Sequence, residues 1–255
     1  MPDAAPSSFS TERTVSALSE KNSNEKRKVV VVQGRDIYEY RAFYKKFERA
    51  KYISHLDLYR AIQRAIGRAN LPVWFTEGYH PHIYLTFPMP IFLGCEGIEE
   101  SFDFRTVEDC EPEELMERLN HAFPEGIRVT RIAAPVHKPA EIVSADYTVL
   151  FSGEGIDGHA LREKWDEFLS GETIPAVKHT KKGPKEIDIK PMIASCETEN
   201  NGDGLLIRMR TACGIEENLN VTLVIDTFGA KNGIEINYHL IRREQMLLSD
   251  GSRFC

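Results

Sequence analysis

His80 and His82 stand two apart in the segment Gly78-Tyr79-His80-Pro81-His82. In an extended chain, residues two apart share a face. Both imidazoles could then serve one metal ion, with Glu77 or Asp57 completing the set. Pairs of this spacing are also common as plain loop residues, and no metal or other cofactor is expected. His55 is a third candidate, in the first turn of a helix, where the dipole favours a neutral imidazole able to act as base or acceptor. Either His55 or His80 could act on a ribose 2′-hydroxyl if a Lys or Arg stabilised the developing charge. Tyr79, His80 and Trp74 offer flat surfaces for unpaired bases, with His82 in the same loop. Arg60, Arg64 and Arg68 recur every four residues, and Lys178, Lys181, Lys182 and Lys185 fall within eight. Both sets suit a phosphate backbone. The plainer readings are a solvated helix face and a solvated hairpin tip.

Signatures of better-known chemistry are missing. The chain has no GxxxxGK to cradle phosphates, no strand-following GxGxxG and no GxSxG elbow. No cysteine has a neighbouring histidine to activate it. The five cysteines form no CxxC pair, so neither a zinc ribbon nor a disulfide framework is expected.

The helix that carries the arginines starts at Ser54, and a Ser followed three residues later by Asp57 reads as a capping box. Leu58, Tyr59, Ala61, Ile62, Ala65, Ile66 and Ala69 fill one continuous arc of the wheel, while Arg60, Arg64 and Arg68 lie opposite. Asn70 and Pro72 stop the helix. The aromatic stretch 73–90 follows, broken by Gly78 and prolines, and reads as two short strands around the Gly-Tyr-His-Pro-His loop.

These residues resemble the radical SAM-linked domain family, a family of unknown function. The resemblance rests on SHLDLYRAIQRAIGRANLP, EGYHPH and PIFLG, continues more thinly through PEELMERLNHAFPEGI to HTKKGPKEIDI, and covers roughly residues 38–245. Gly67 departs from the pattern, which has a second basic residue beside Arg68, so the basic face is thinner here. The resemblance implies a radical SAM enzyme as partner. The CxxxCxxC cluster motif of such enzymes is absent, so this chain is not itself one.

The net charge of −7 argues against bulk electrostatic binding to nucleic acid, but the charge is segregated. Residues 41–68 hold eight Lys or Arg against two acids; residues 96–117 hold ten acids against Arg105 alone. No apolar run reaches 18 residues and the first 30 lack a signal core, so a cytoplasmic protein with no membrane partner is expected.

In chain order, residues 1–35 read as a disordered tail with a stray strand at the Val29–Val32 run. Residues 36–134 read as strand, helix, two strands, helix, strand, with the second helix starting at Pro112. This is the ferredoxin-like β-α-β-β-α-β unit. Residues 135–255 repeat the order: a strand at 142–151, a helix capped by Asp157, a lysine-tipped hairpin at 173–189, a strand at 204–211, an ambiguous segment at 218–228 and a last strand at 234–240. The expected class is α+β, with tandem ferredoxin-like units and antiparallel sheets.

Three functions fit. The first is an RNA-binding or substrate-presenting accessory of a radical SAM enzyme, with the arginine helix and the lysine hairpin lining one groove. The second is a metal-independent endoribonuclease like the CRISPR repeat-processing enzymes, using His55 or His80. The third is a protein-interaction module with the acidic 96–117 stretch as its contact face.

Overall fold

The computed structural model describes residues 11–13, 28–32, 34–180 and 183–255. They form a mixed α+β fold with four α-helices and mostly antiparallel strands. Two compact units share the chain. One takes the residues up to Lys45, Ser54–Pro90 and Ser101–Val136; the other takes Lys46–Ile53, Ile91–Glu100 and His137–Cys255. Two early segments of the chain join the later unit. There Glu96 and Glu100 meet Arg242 and Arg243 of its last strand.

The first unit contains β1 (Thr11–Arg13), β2 (Lys28–Val32), β3 (Arg35–Lys46), α1 (His55–Arg68), β4 (Leu85–Thr86), β5 (Glu96–Thr106), α2 (Pro112–Ala122) and β6 (Ile127–Ala133), with the division of units falling inside β5. Its strands run in the order β4-β5-β3-β6. The valine run is β2, paired with β3 over Arg35 to Glu39 and with β1 on its other side; the rest of the expected tail lies mostly outside the described residues. Leu58, Ile62, Ala65 and Ile66 of α1, Leu115 and Leu119 of α2, and Tyr44, Phe102 and Phe104 of the strands fill the core. Arg41 on β3 sits 1% exposed and donates through Nε at 2.7 Å and Nη2 at 2.9 Å to Asp103 on β5. Such a bidentate pair satisfies a buried guanidinium where a single bond could not.

The second unit adds β7 (Ser144–Gly153), α3 (Gly158–Ser170), β8 (Pro175–Thr180), β9 (Gly183–Asp188), β10 (Ile193–Asn201), β11 (Gly204–Ala212), α4 (Val221–Asn232) and β12 (Ile236–Leu247). The order is β10-β11-β7-β12, and β8 and β9 make a separate two-stranded hairpin. Asp157 caps α3 by accepting from the His159 and Ala160 N–H groups, both at 2.9 Å. Trp165 and Phe168 of α3, Phe228 of α4 and Phe151 of β7 close into one aromatic cluster, so both helices cover the same face of the sheet.

Four local readings change. Within the stretch 190–203, Ile193–Asn201 forms a strand, β10, where none was expected: its side chains are mostly exposed and polar, so it shows no apolar alternation. The ambiguous 218–228 segment is helical from Val221 on, with Asn220 accepting from Thr222 N–H at the start of the helix and Gly233 at φ 65° at its end. The last strand continues to Leu247, because its charged residues find partners inside the unit. The hairpin is tighter than expected, Thr180 pairing with Gly183, and its tip residues Lys181 and Lys182 lie outside the described residues.

Candidate nucleic-acid interface

Helix α1 forms where the sequence placed it. Ser54 has extended backbone (φ −66°, ψ 162°), and its Oγ accepts from the Asp57 N–H at 3.1 Å. The Asp57 carboxylate, instead of reaching back to the backbone, accepts the Ser54 hydroxyl at 2.7 Å. Ser54→Ala is expected to cost about 1 kcal/mol through the lost cap, read as a lower urea midpoint with unchanged slope; an unchanged midpoint would mean the cap contributes nothing. At the other end the Ala69 N–H closes on Ala65 O, and Asn70 takes the left-handed conformation at φ 51° that asparagine tolerates after a helix.

Arg60, Arg64 and Arg68 are all exposed, but they differ in company. Arg60 lies 3.5 Å from Asp57, and Arg68 donates at 2.7 Å to the Ala122 carbonyl of α2. Arg118 of α2 answers by donating to the Ala69 and Asn70 carbonyls, so two arginines lock the ends of α1 and α2 together. Arg64 has no hydrogen bond or ion pair among the described residues. It is the arginine of the stripe whose charge is unspent.

The Gly-Tyr-His-Pro-His loop is the tip of a narrow hairpin. Phe75 bridges Ile83, the Thr76 N–H donates to His82 O at 2.7 Å, and the His82 N–H returns a bond to Thr76 Oγ1 at 3.2 Å. His82 Nδ1 sits 3.0 Å from Thr76 Oγ1 and 3.1 Å from His80 O. That ring therefore works inside the loop, holding its shape. Gly78 has φ 132°, open to glycine and strained for any other residue. The consequence is at the tip: Tyr79 is 94% exposed, with the His80 ring edge-on to it at 4.8 Å.

His55 and Trp74 are placed differently. The half-buried His55 ring meets Phe87 edge-on at 4.9 Å. Trp74 shares the Arg105 guanidinium with Tyr84, which lies 3.9 Å from it, and Arg105 in turn reaches Glu39 at 3.6 Å. Trp74 is thus committed to its own unit, and Tyr79 and His80 remain as displayed rings. Among the described residues no group of three or more His, Cys, Asp or Glu side chains could hold a metal ion. In the second unit, Lys178 donates to Asn218 O at 3.2 Å, and Lys185 is exposed.

The acidic 96–117 stretch is not a continuous contact face. Asp103 belongs to Arg41; Glu96 lies between Lys51 at 3.6 Å and Arg242 at 3.2 Å; Glu100 is buried against Arg243. Both faces of β5 are covered, so these carboxylates become ion pairs within the units, and only the stretch beyond residue 107 keeps exposed acids. Sequence reasoning also missed the interior charges of the second unit. Lys46 is fully buried and donates to Lys51 O and Ile53 O at 3.2 and 3.3 Å; burial pushes its pKa down. Burial likewise pushes the nearby Cys95 thiol up to about 12, which keeps it protonated and unreactive. A further unforeseen feature is a polar cleft of about 460 Å³ on the sheet of the second unit, lined from β10, β11, β7 and β12, by Ile98 and Glu99 at the start of β5, and by Arg253.

Residues 39–221 match the model of a family described as an uncharacterized protein conserved in bacteria (DUF2344). The chain belongs to that family. No curated protein matches it. Among solved structures, it is similar to a chain of a Cbf5-Nop10-Gar1 complex at 11% identity and TM-score 0.46, covering 80% of this chain and 48% of that one. A chain of the archaeal box H/ACA sRNP Nop10-Cbf5 complex matches at 12% identity and TM-score 0.40, covering 79% and 46%. An unknown protein from Galdieria sulphuraria matches at 12% identity and TM-score 0.24, covering 80% and 98%. The chain thus spans about half the length of the first two structures it matches.

Proposed function

We propose that this protein is a non-catalytic RNA-binding module that presents an unpaired strand to a partner enzyme of the radical SAM class. The observation that carries the reading is the pinned hairpin tip with Tyr79 at 94% exposure beside His80. A large ring held in solvent by a rigid loop loses little entropy when a base stacks on it. Arg64, exposed on α1 of the same unit, supplies a cation for the backbone, and the exposed Lys185 supplies another in the second unit. The enzyme partner rests on the resemblance of the Ser54 helix, the hairpin loop and the Pro-x-x-Leu-Gly turn to radical SAM-linked domains. The strand orders are β4-β5-β3-β6 in the first unit and β10-β11-β7-β12 in the second, each with two helices. That repetition supports tandem ferredoxin-like units, an architecture that suits RNA without dictating it. Among the described residues no helix is long and apolar enough to cross a membrane; the five cysteines are free thiols, which fits action in a reducing cytoplasm.

Fluorescence polarisation with labelled single-stranded RNAs, over a range of salt, tests the reading. Tyr79→Ala should weaken binding by about 1–3 kcal/mol, the worth of one stacked base. Arg64→Glu should weaken it further and flatten the plot of log affinity against log salt by about 0.7. Neither change should move the unfolding midpoint, since both side chains are in solvent. Equal affinity for wild type and double variant, or no binding at low salt, sinks the proposal. Cleavage of the RNA that stops in His80→Ala would replace it with the endoribonuclease reading.

A further inference from the structure

Strand β10 ends the sheet of the second unit, and among the described residues no strand pairs with its outer edge. From Cys196 to Asn201 its pairing with β11 is regular; the one irregularity lies between Ile193 and Ser195. Such an edge offers a row of N–H and C=O groups, and proteins commonly blunt it with lysine or proline. The sequence of β10, IASCETENN, has neither. Its charge is instead negative. Glu197 and Glu199 are exposed and two apart, hence on one face. Glu199 lies 3.3 Å from Arg208 in an exposed pair, which contributes little and opens easily. Glu197 has no hydrogen bond or ion pair among the described residues.

The polar cleft lies directly behind this edge, with Ser195 and Glu197 as one wall and Glu244 on the far side. Its arginines are already matched. Arg210 gives Nε and Nη2 to Asp146 at 2.7 and 3.0 Å, and Arg253 lies 3.3 Å from Glu99. Gln245 adds a third bond to Asp146 at 2.8 Å, so the floor is a fixed network. The carboxylate left over beside the edge is that of Glu197, and a cation from outside completes the set.

We propose that β10 docks an extended segment of a partner protein with lysine or arginine at alternate positions. The segment adds to the sheet as one more strand and sets its basic side chains opposite Glu197 and Glu199. Directly opposed residues of paired strands stand about 5 Å apart, and long side chains also reach the diagonal neighbour. Backbone bonds supply affinity and the alternate side chains supply selectivity. A second copy of this chain is disfavoured at the same edge, because self-pairing brings acidic residues against acidic residues. Nucleic acid is repelled by the same carboxylates.

The test uses the full chain and two synthetic nonapeptides, Thr-Lys-Val-Lys-Val-Lys-Val-Lys-Thr and its twin with every lysine replaced by glutamate. Amide hydrogen exchange and titration by NMR are read together. The lysine peptide should slow exchange across 193–201, and its affinity should fall at least tenfold in Glu197→Lys and in Glu199→Lys. The glutamate twin should leave the strand unprotected. Folding of each variant is checked by its amide spectrum away from β10. Protection by both peptides alike, protection elsewhere, no binding at millimolar lysine peptide, or a wild-type dimer through β10 in sedimentation would each overturn the proposal.

Discussion

Replacing Glu100 with alanine is expected to cost about 3–5 kcal/mol, the loss typical of stranding one member of a buried ion pair. Arg243 is 2% exposed on β12, and its Nε and Nη2 donate to the Glu100 carboxylate at 2.8 and 2.5 Å. Burial works against the charged guanidinium, but Glu100 more than offsets it and holds the Arg243 pKa well above its ordinary value. The other groups beside it, Tyr147 and Cys213, are held protonated by burial and cannot replace a carboxylate. The urea midpoint followed through Trp165, which lies in the same unit, is the measurement. A loss under about 1 kcal/mol would show that the Arg243 guanidinium finds water or another acceptor and is not left stranded. The double change Glu100→Leu with Arg243→Met should recover most of the loss, since no charge is then left inside. Gly97 takes part as well: a Cβ there would fall 2.3 Å from Glu100 Cγ, so Gly97→Ala should push the carboxylate off the guanidinium and reproduce part of the defect.

Trp165→Ala should be of similar size, about 3–5 kcal/mol, from lost burial and the cavity left behind. Trp165 is wholly buried, with ring centroids of Phe228, Phe151 and Phe168 at 5.0, 5.6 and 5.7 Å. This cluster joins α3, α4 and β7, so the hole would open where three elements meet and none could close it alone. Denaturation by urea, followed by far-UV dichroism, reads the effect. Trp74 then remains as the single indole, in the other unit, and its emission reports that unit separately. A midpoint shift equivalent to less than about 1 kcal/mol would mean that the three phenylalanines repack to fill the space.

The elements easiest to read from sequence were those whose stabilising signals are local. Helix α1 shows its cap, its period and its stop within twenty residues of chain, and the hairpin after it is announced by Gly78 and Pro81. Helix α4 was ambiguous because VTLVIDTFGAKN is rich in β-branched residues and buries Val221, Val224, Ile225 and Phe228. Its signals are the flanking Asn220 and Gly233, weak in isolation. Strand β10 was illegible because it is held by backbone bonds from β11, while its polar side chains follow no apolar period. The charges misled for a related reason. Residues 41–68 and 96–117 looked like a basic face and an acidic one, yet Arg41 pairs with Asp103 in one unit and Lys51 with Glu96 in the other. A formal charge on a sequence says nothing of whether its partner lies sixty residues away. In the candidate interface, the exposed Tyr79 could be expected from its loop, whereas the clamping role of His82 depends on Thr76 across the hairpin.

The interleaving of the two units has a bearing on how the chain comes into being. Translation delivers the amino terminus first, at roughly 5–20 residues per second. All segments of the first unit have left the ribosome once Val136 has, and that unit can close on itself. The second unit cannot. Its Lys46–Ile53 and Ile91–Glu100 segments emerge early and must wait for β12, the strand that brings Arg242 and Arg243. The wait is on the order of ten seconds or more at those rates. During it, Glu100 and the apolar Ile91 and Cys95 stand without the surroundings that later bury them, in reach of chaperones and proteases. A nascent chain stalled just past Val136 would therefore be half a protein carrying two orphaned pieces of the other half.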